Sequence, residues 1–460
     1  MNREFDLIVI GSGPAGEAAV AVAQRHTRSI ALVERDRLGG DCPNVACVPT
    51  KALLRSARIY SLLRRAGEFG LRAGETGFDW GRIVARKDRI VREAAAWEEK
   101  ARRLERAGVS LLRGEAAFVD ERVVRVGDET LRGEHILIAT GSQPQMPPIE
   151  GLAEISPLSS VDAVDLRALP AGLIVLGGGA VGCEFADLFA AFGVRVTLIE
   201  AEQTLLPNEE PEMSGVLREH LERRGVRVAT GAKVERLAME GGRKLAFCLL
   251  GEERRTFRAD EILIATGRAP RTAGLNLDRA GVETDERGQV RVDDFLRTTQ
   301  PHIWAAGDVC GPFLFTHVAH YQGTRAARNM FAEPMVPADY RVVPRVTWTQ
   351  PEVAGVGMTE AEARAAGGNV AVGTADLAPL GKAQVDGEPA GRVKIVGDAR
   401  TGEILGGHIV GADAGEMLHE IAGAMHGRVK VSDLANGMHA FPAFAEGIED
   451  ACCAWMDAAE

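Results

Sequence analysis

The length, composition and charge of the chain limit what it can be. It has 460 residues, 46% of them hydrophobic and 26% charged, with a formal net charge of -11. A chain this long exceeds what one hydrophobic core supports, so we expect a globular protein of several domains. The acidic balance disfavours nucleic acids and anionic membranes as partners, because both attract clustered lysine and arginine. Small molecules are the expected partners.

The distribution of apolar residues predicts neither a membrane span nor a secretion signal. Apolar runs stay shorter than the roughly 18 residues that a membrane helix needs, and the chain enters the strand-like stretch FDLIVIGSG without a basic and apolar leader. We therefore expect a cytoplasmic protein with no membrane partner. The seven cysteines are scattered along the chain, unlike a secreted disulfide framework. A disulfide in this chain is expected to be reactive.

The stretch EFDLIVIGSGPAGEAAVAVAQR predicts a buried strand, a glycine turn and a helix of small residues. Its glycines Gly11, Gly13 and Gly16 fit G-x-G-x-x-G, and Glu34 follows Gly11 by 23 positions at the end of IALVE. In this dinucleotide-binding pattern the first glycine forms the turn, the second lets a pyrophosphate approach, and the third lets the helix pack on the strand. The helix N-terminus would face the phosphates, and Glu34 would accept hydrogen bonds from ribose hydroxyls.

The same pattern occurs a second time. The stretch GLIVLGGGAVGCEFADLF carries Gly177, Gly179 and Gly182, and Glu200 follows Gly177 by 23 positions at the end of VTLIE. One glycine motif is weak evidence for a nucleotide, since such turns also occur without a ligand. Two copies with one spacing predict two dinucleotide-binding folds.

Three further patterns divide the chain. ILIATGS and ILIATGR, which contain Gly141 and Gly267, each predict the last strand of a nucleotide-binding fold. Between the first glycine turn and ILIATGS, the run 87–106 predicts one charged helix with a solvated face, in which Glu98 and Arg102 pair across a turn. After residue 340, VPRVTWTQPEVAGVGM, GRVKIVG and ILGGHIVG predict antiparallel strands followed by helices, and therefore a third domain.

Two cysteines lie shortly after the first fold begins. GGDCPNVACVPTKALL contains Cys42 and Cys47. A zinc site needs a second pair at comparable spacing, and Cys183, Cys248 and Cys310 are isolated in the sequence. No metal site is therefore predicted. A structural disulfide fits a cytoplasmic chain poorly, which leaves a redox pair.

At this point the sequence resembles the flavin-dependent pyridine nucleotide-disulfide oxidoreductases, the family of dihydrolipoamide dehydrogenase, glutathione reductase and mercuric reductase. GGDCPNVACVPTK resembles the redox motif of the family, TTQPHIWAAGDV its second flavin motif, and WTQPEVAGVGMTEAEA the start of its dimerisation domain. The resemblance implies an α/β fold with two Rossmann-like nucleotide-binding domains, for FAD and NAD, plus a C-terminal α+β dimerisation domain.

The resemblance also implies where the domains begin and end. The expected parts are the first part of the FAD-binding domain at 1–143, the NAD(P)-binding domain at 144–270, the second part of the FAD-binding and central domain at 271–341, and the dimerisation domain at 342–460. An obligate homodimer is implied, because the family's active site joins the cysteines of one chain to the C-terminal motif of the other.

The resemblance further assigns roles to individual residues. Asp308 would bind the ribityl chain of FAD. Cys47 would lie against the isoalloxazine, and Cys42 would face the electron acceptor. Lys51 would lie near the flavin and pair with Glu184. Electrons would pass from the nicotinamide to the flavin, then to the Cys42–Cys47 disulfide, and from the dithiol to an acceptor.

Glu200 also bears on the choice of nicotinamide nucleotide. A carboxylate at this position would accept a hydrogen bond from a 2′-hydroxyl and repel a 2′-phosphate. We therefore expect NADH to be preferred over NADPH.

The C-terminal stretch HAFPAFAEGIEDACC departs from the pattern of family members that reduce disulfides. Those members carry a His-Pro pair, with a Glu five residues after the His, and the His of the partner subunit moves the thiol proton. Glu446 is present here, but the base is replaced by Phe441, which cannot accept a proton. His439 is either a substitute base or a polar loop residue, and the bond before Pro442 is a candidate for the cis form.

The adjacent cysteines Cys452 and Cys453 allow two interpretations. Mercuric reductases also lack the His and carry a C-terminal cysteine pair, although theirs lies many residues after the Glu, and the family has a Tyr where this chain has Phe441. Alternatively, both cysteines pack as small apolar residues in a terminal helix.

Together these features predict an NADH-dependent flavoprotein that reduces its acceptor through Cys42 and Cys47. The acceptor is expected to need no histidine base, as a thiophilic metal ion does; a quinone reduced at the flavin is another possibility. The alternatives are a dihydrolipoamide dehydrogenase and a flavin-bearing redox sensor without fast turnover.

Overall fold

The structure is a computed structural model that describes residues 2–460. The chain divides into two compact units that alternate along the sequence. The first unit comprises Met1–Ala52, Val84–Gln145 and Arg268–Asp339, and the second comprises Leu53–Ile83, Met146–Gly267 and Tyr340–Glu460. The finer division into four domain segments stays a prediction.

The strands are numbered in chain order. They are β1 (Asn2–Ile10), β2 (Ile30–Glu34), β3 (Ser110–Arg113), β4 (Ala116–Phe118), β5 (Val123–Val126), β6 (Glu129–Ile138), β7 (Ser142–Pro144), β8 (Gly172–Leu176), β9 (Arg195–Ile199), β10 (Arg227–Ala229), β11 (Ala232–Glu240), β12 (Arg243–Leu250), β13 (Glu253–Ala259), β14 (Glu261–Ile264), β15 (Arg268–Pro270), β16 (Ile303–Ala305), β17 (Arg345–Thr347), β18 (Glu352–Gly357), β19 (Val370–Asp376), β20 (Arg392–Asp398) and β21 (Ile404–Gly411).

The helices are numbered in the same way. They are α1 (Pro14–Ala23), α2 (Asp41–Asn44), α3 (Cys47–Arg64), α4 (Trp80–Ala95), α5 (Trp97–Arg106), α6 (Ser160–Val164), α7 (Ala180–Ala191), α8 (Pro211–Arg223), α9 (Thr316–Phe331), α10 (Glu360–Ala365), α11 (Gly381–Asp386), α12 (Ala414–Gly427), α13 (Val431–Ala435) and α14 (Glu446–Ala459). Short 3-10 turns occur at Ala66–Phe69, Ala153–Ile155 and Leu277–Ala280.

A seven-stranded sheet forms the centre of the first unit. Its order is β3-β2-β1-β6-β5-β4, and β16 also pairs with β6. The strands β3, β2, β1, β6 and β16 run parallel to one another, and β5 pairs antiparallel with both β6 and β4. Every residue of β2 is buried, as expected for a strand covered on both faces. The carboxyl ends of the parallel strands consequently meet at one edge of the sheet.

Helix α9 packs directly on α1 in the first unit. A Cβ atom added at Gly323 of α9 would lie 2.0 Å from the carbonyl oxygen of Ala15 in α1. Only glycine permits this approach of the two backbones. The contact brings the segment before α9, which contains the second flavin motif, to the first glycine turn.

The second unit contains another parallel sheet and also an antiparallel sheet, whose strands lie between β10 and β14 in the sequence. The parallel sheet has the order β10-β9-β8-β14, and α7 connects β8 to β9. The strands β11, β12 and β13 form a separate antiparallel sheet. The second glycine motif therefore lies on the strand–turn–helix arrangement that the sequence predicts.

The end of the chain forms a five-stranded antiparallel sheet with helices, as predicted. Its order is β17-β18-β21-β20-β19, and α12 and α14 pack against it. Helix α14 lies very close to two strands, because a Cβ added at Gly373 would be 2.0 Å from the carbonyl oxygen of Ala451. The indole nitrogen of Trp455 donates to the carbonyl of Ala371 at 2.9 Å and would contact a Cβ at Gly397.

The prediction of one helix over the charged run 87–106 is wrong. The helix breaks at Ala96, whose backbone is left-handed with φ 42°. The break lets the indole nitrogen of Trp97 donate to the side-chain oxygen of Asn44 at 2.7 Å, a contact outside the reach of helical periodicity. Glu98 and Arg102 do pair across a turn, at 3.6 Å, with exposed side chains.

Among the described residues, none of the helices combines the length and the hydropathy required to cross a membrane.

Replacing Gly373 by alanine should destabilise the chain by about 1–3 kcal/mol, because the new methyl group overlaps the backbone of α14. Urea unfolding followed by circular dichroism measures the effect. Gly423 is the matched control, since it is exposed in α12 and, apart from its chain neighbours and its own helix backbone, no described atom lies within 4 Å of its added Cβ. Gly423→Ala should stabilise the helix by up to about 1 kcal/mol. Equal effects of the two substitutions would contradict the close packing.

Candidate active site and nucleotide sites

The predicted FAD residues of the first unit lie at one edge of its sheet. Gly11 follows β1, Glu34 ends β2, Gly141 follows β6 and Asp308 follows β16. These four strands are parallel neighbours, so their carboxyl ends are adjacent. This is where open α/β sheets bind nucleotides.

The first glycine turn leaves room for a phosphate. Gly11 has φ +104°, and a Cβ there would lie 2.3 Å from the carbonyl oxygen of Ala139. A Cβ at Gly16 would lie 1.9 Å from the carbonyl oxygen of Gly11, so the helix and the strand touch. Beside Gly13 the nearest such atom is 3.9 Å away, and among the described residues no side chain caps α1. The open space and the unfilled helix N-terminus fit a dinucleotide pyrophosphate.

Glu34 is fixed by the turn that it faces. Its Oε2 accepts hydrogen bonds from the backbone N–H and the hydroxyl of Ser12, at 3.0 and 2.7 Å, and its Oε1 accepts from the N–H of Asp36 at 2.8 Å. A carboxylate oxygen has two lone pairs. The buried Glu34 can therefore still accept from a ribose hydroxyl.

The second glycine turn repeats this geometry. Gly177 has φ +107°, a Cβ at Gly182 would lie 1.8 Å from its carbonyl oxygen, and no described atom lies within 4 Å of a Cβ at Gly179. Gly177 follows β8, Glu200 follows β9 and Gly267 follows β14, three parallel neighbours. The residues predicted to bind the nicotinamide nucleotide are thus adjacent within the second unit.

Glu200 repeats the hydrogen bonds of Glu34. Its Oε2 accepts from the N–H of Gly178, and its Oε1 accepts from the N–H of Glu202 at 2.8 Å. Both glutamates therefore bind the second residue of their glycine turn and the residue two positions after themselves. The duplication seen in the sequence extends to individual hydrogen bonds.

The redox motif packs against the first glycine turn. A Cβ at Gly40 would lie 2.8 Å from the Cα of Gly13, and the N–H of Gly39 donates to the carbonyl of Ser12 at 3.1 Å. Gly40 has φ +67°, which also favours glycine. The loop with the cysteines therefore lies directly beside the predicted phosphate site.

Cys42 and Cys47 are close enough to form a hydrogen bond, and both are thiols in this structure. The pKa of Cys42 is raised by that hydrogen bond, by burial and by the charge that Cys47 can carry, against smaller opposing effects of Thr316 and Lys51. The sulfur of Cys47 lies 3.5 Å from the hydroxyl of Thr316 in α9. When one proton leaves the pair, Cys42 therefore retains the other. Two sulfurs in this relation can alternate between dithiol and disulfide.

Asn44 holds the redox loop in place, which the sequence did not predict. Its side-chain nitrogen donates to the carbonyls of Leu38 and Gly40 at 3.1 and 2.7 Å, and its oxygen accepts from Trp97 at 2.7 Å. The sequence signal that could have indicated this role is the presence of a polar residue, Asn44, between the two cysteines of the redox motif. Thr316 was also missed, because 269 positions separate it from Cys47.

Asp308 and Glu184 lie in separate units. The Oδ2 of Asp308 accepts from the hydroxyl of Ser142 at 2.5 Å within the first unit. Glu184 is buried in α7 of the second unit, where its Oε1 accepts from the N–H of Trp348 at 3.0 Å. The pairing of Lys51 with Glu184 stays a prediction.

The C-terminal motif contains an exposed ring where a base was expected. The Phe441–Pro442 bond is cis, in agreement with the sequence, and the side chain of Phe441 is 82% exposed. Glu446 begins α14, and its Oε2 accepts from the N–H of Ala443 at 2.8 Å. Glu446 thus stabilises the turn after Pro442.

His439 is held between two carboxylates. Its Nε2 lies 2.8 Å from an oxygen of Glu420 in α12, and its Nδ1 lies 3.0 Å from an oxygen of Glu449 in α14. Burial alone would lower the pKa of His439, but the hydrogen bonds and charges of Glu420 and Glu449 raise it above the usual value. Both ring nitrogens then donate, which favours the interpretation of His439 as a polar loop residue.

Cys452 and Cys453 both lie on α14, but in different environments. Cys452 is fully buried in the core of the antiparallel sheet, and burial, followed by the neighbouring Cys453, raises its pKa to about 12. Cys453 is exposed, and partial burial and nearby acidic residues raise its pKa. Cys452 therefore fits the small apolar interpretation, and neither thiol is activated at neutral pH.

Two dinucleotide folds and a thiol pair beside the first of them define a redox protein of the flavoprotein disulfide reductase class. Comparison with known families agrees. Residues 5–323 match the pyridine nucleotide-disulphide oxidoreductase family, and residues 343–452 match its dimerisation domain.

Named relatives cover nearly the whole chain. A dihydrolipoyl dehydrogenase of Chlorobaculum parvum is 38% identical over 98% of this chain and 97% of its own. A mercuric reductase of Streptomyces lividans is 38% identical over 97% of this chain and 95% of its own. The Cu(II) complex of the HOCl-induced flavoprotein disulfide reductase RclA from Escherichia coli has a TM-score of 0.87 and 31% identity, covering 98% of this chain and 99% of that one.

The chain belongs to the pyridine nucleotide-disulphide oxidoreductase family. It is an oxidoreductase of a family that depends on FAD and uses NAD(P)H. The family resemblance and the fold class predicted from the sequence are confirmed.

The hydrogen bonds of His439 to Glu420 and Glu449 should make the thermal stability of the folded chain depend on pH. Because its pKa is raised in the folded chain, the stabilisation is present below the usual value near 6.5 and is lost as pH rises through the raised value. Wild type should therefore exceed His439→Gln in thermal midpoint by more at pH 6 than at pH 9. Scanning calorimetry at both values measures the difference. A gap that does not change with pH would contradict a charged His439.

Proposed function

We propose that this protein is an NADH-dependent flavoprotein that reduces a thiophilic metal ion through Cys42 and Cys47. The observation that carries the proposal is the C-terminal motif, where Phe441 replaces the base and both nitrogens of His439 bind carboxylates. The described motif therefore offers no imidazole with an unoccupied nitrogen to accept a proton in thiol exchange. An acceptor that needs no base suits it better.

A metal ion removes the need for a base because it acidifies the thiol that binds it. Cys42 holds its proton strongly, owing to Cys47 and to burial. A coordinating thiol is deprotonated by the charge of the metal ion, and soft sulfur ligands select ions such as Cu(I). Coordination can thus achieve what a histidine achieves elsewhere in the family.

The thiol step balances without a further reactant. As the Cys42–Cys47 S–S bond forms, two protons and two electrons leave the dithiol, and the electrons reduce one Hg(II) to Hg(0) or two Cu(II) to Cu(I). When bound, FAD supplies the link that accepts hydride from the nicotinamide and returns the disulfide to the dithiol. Lys51 and the N-terminus of α3 favour a negative charge at the sulfur pair.

The relatives support this direction. Mercuric reductases are among the named proteins of similar length and identity, and the structure of RclA with TM-score 0.87 is described as a Cu(II) complex. A second candidate, dihydrolipoamide dehydrogenase, is favoured by the 38% identity to the Chlorobaculum parvum enzyme. It would require thiol exchange without the usual base.

The active form is proposed to be a homodimer. The dimerisation domain spans 343–452, and its C-terminal loop exposes two large apolar side chains, Met438 and Phe441. Exposed apolar residues of this kind are typical of an interface. In the dimer, each C-terminal loop would face the Cys42–Cys47 pair of the partner. A cytoplasmic location, where NADH is supplied, completes the proposal.

Acceptor assays test the function directly. Anaerobic NADH oxidation should be at least about tenfold faster with Cu(II) or Hg(II) than with lipoamide, since loss of base catalysis costs about 100-fold to 10,000-fold in thiol exchange. Cys42→Ser should abolish the metal-dependent rate. Fast lipoamide turnover would favour a dihydrolipoamide dehydrogenase. A rate of quinone reduction that Cys42→Ser does not change would favour reduction at the flavin. A single turnover with every acceptor would favour the redox sensor.

Replacement of Phe441 by histidine tests whether the missing base limits lipoamide turnover. Phe441→His should raise lipoamide turnover relative to metal-ion turnover, because it supplies the missing proton acceptor five residues before Glu446. Met438→His is the matched control, since it adds a histidine to the same exposed loop at the wrong spacing. Identical rates for both variants would show that the base is not the limiting group.

The preference for NADH is proposed from Glu200, whose fixed carboxylate would repel a 2′-phosphate. The ratio of kcat/KM for NADH to that for NADPH should exceed unity and fall at least about tenfold in Glu200→Ala. Glu202→Ala is the control, because it retains the N–H that binds Glu200. A ratio below unity in wild type would refute the assignment.

A further inference from the structure

Asp41 lies directly before Cys42 and begins α2. Both of its oxygens are bound within the first unit. Oδ1 accepts from Nη1 of Arg271 at 3.0 Å, and Oδ2 accepts from Nη2 of Arg268 at 2.5 Å.

The contacts continue from Arg268 to the residue predicted to bind the flavin. Nε of Arg268 donates to the hydroxyl oxygen of Ser142 at 2.6 Å, and the same hydroxyl donates to Oδ2 of Asp308 at 2.5 Å. Nη2 of Arg268 also donates to the carbonyl of Ser142 at 2.9 Å. Hydrogen bonds thus link Asp41, Arg268, Ser142 and Asp308 without interruption, and such a continuous network is rigid.

The backbone that carries the arginines is fixed as well. Strand β15 pairs with β7, with Arg268 opposite Pro144. The N–H of Arg271 donates to the carbonyl of Gly141 at 2.9 Å, and the hydroxyl of Thr140 donates to the carbonyl of Arg271 at 2.7 Å. The arginines are therefore anchored to the turn that ends the last strand of the first nucleotide fold.

Burial and charge make the network sensitive to the loss of one member. The side chains of Asp41, Arg268, Arg271 and Asp308 are only 20% to 25% exposed. Two carboxylates balance two guanidinium groups. Removal of one partner would leave a partly buried charge without compensation, which is more costly than the pair itself is stabilising.

We propose that Asp41 is a positioning residue for electron transfer between the flavin and the cysteine pair. Through Arg268 and Ser142 it ties the α2 turn, and so Cys42, to the residue that would hold the ribityl chain. The inference rests on the proposed function, because it requires that FAD bind at Asp308. In the step concerned, FAD would supply a hydride equivalent, two electrons and one proton, that breaks the Cys42–Cys47 S–S bond and leaves Cys42 as the thiol and Cys47 as the thiolate. The geometry between sulfur and flavin controls such a step.

Anaerobic titration of the holoenzyme with NADH, in the absence of any acceptor, tests the role. The readout is the long-wavelength absorption of a thiolate beside oxidised flavin, expressed per bound FAD. Asp41→Asn should reduce it at least about threefold, because the fork of Arg268 loses its carboxylate. Arg268→Lys should do the same, since a lysine keeps the charge but cannot bridge Asp41 and Ser142 together.

Glu98→Gln is the matched control, because it removes an exposed carboxylate from the same unit, and it should retain the wild-type absorption. FAD content and the dissociation constant for FAD are measured for each variant. Full absorption in Asp41→Asn, or a loss explained by FAD content alone, would overturn the role of Asp41. Should Asp41→Asn fail to fold, Arg268→Lys decides in the same way. A wild-type enzyme without the band would instead refute the proposed function, so the two failures are distinguishable.

Discussion

The arrangement of the redox motif depends on one close contact between the backbones of two glycines, Gly13 and Gly40. An added Cβ at Gly40 would lie 2.8 Å from the Cα of Gly13, a separation that real side chains do not tolerate. Because neither residue has a side chain, the cysteine loop can lie against the turn that would bind the pyrophosphate. The residues predicted to bind the nucleotide and those predicted to carry the thiol chemistry are thus adjacent in the first unit.

Sequence patterns predicted the parts of this protein that local spacing controls. The glycine turns, the strands before them and the acidic residues 23 positions later all depend on contacts within one strand–turn–helix motif. Their repeated spacing corresponds to repeated geometry, down to the hydrogen bonds of Glu34 and Glu200. The antiparallel strands after residue 340 were also predictable, because short apolar and β-branched runs bounded by glycine are a local signal.

What could not be predicted depends on contacts between distant positions. The helix break at Ala96 goes together with a contact of Trp97 with Asn44, 53 positions away. The partners of His439 come from α12 and α14, and Arg268 reaches Asp41 across 227 positions. The periodicity of helices and strands contains no information about such pairs. The partners of Trp97, His439 and Asp41 are therefore visible only in the folded structure.

The packing of α14 has a consequence for the reactivity of the two cysteines that it carries. The helix lies on the backbone of β19 at Gly373, and Cys452 is enclosed in the core beneath it. Oxidants in solution can therefore reach the sulfur of Cys453 but not that of Cys452, although the two residues are adjacent on α14.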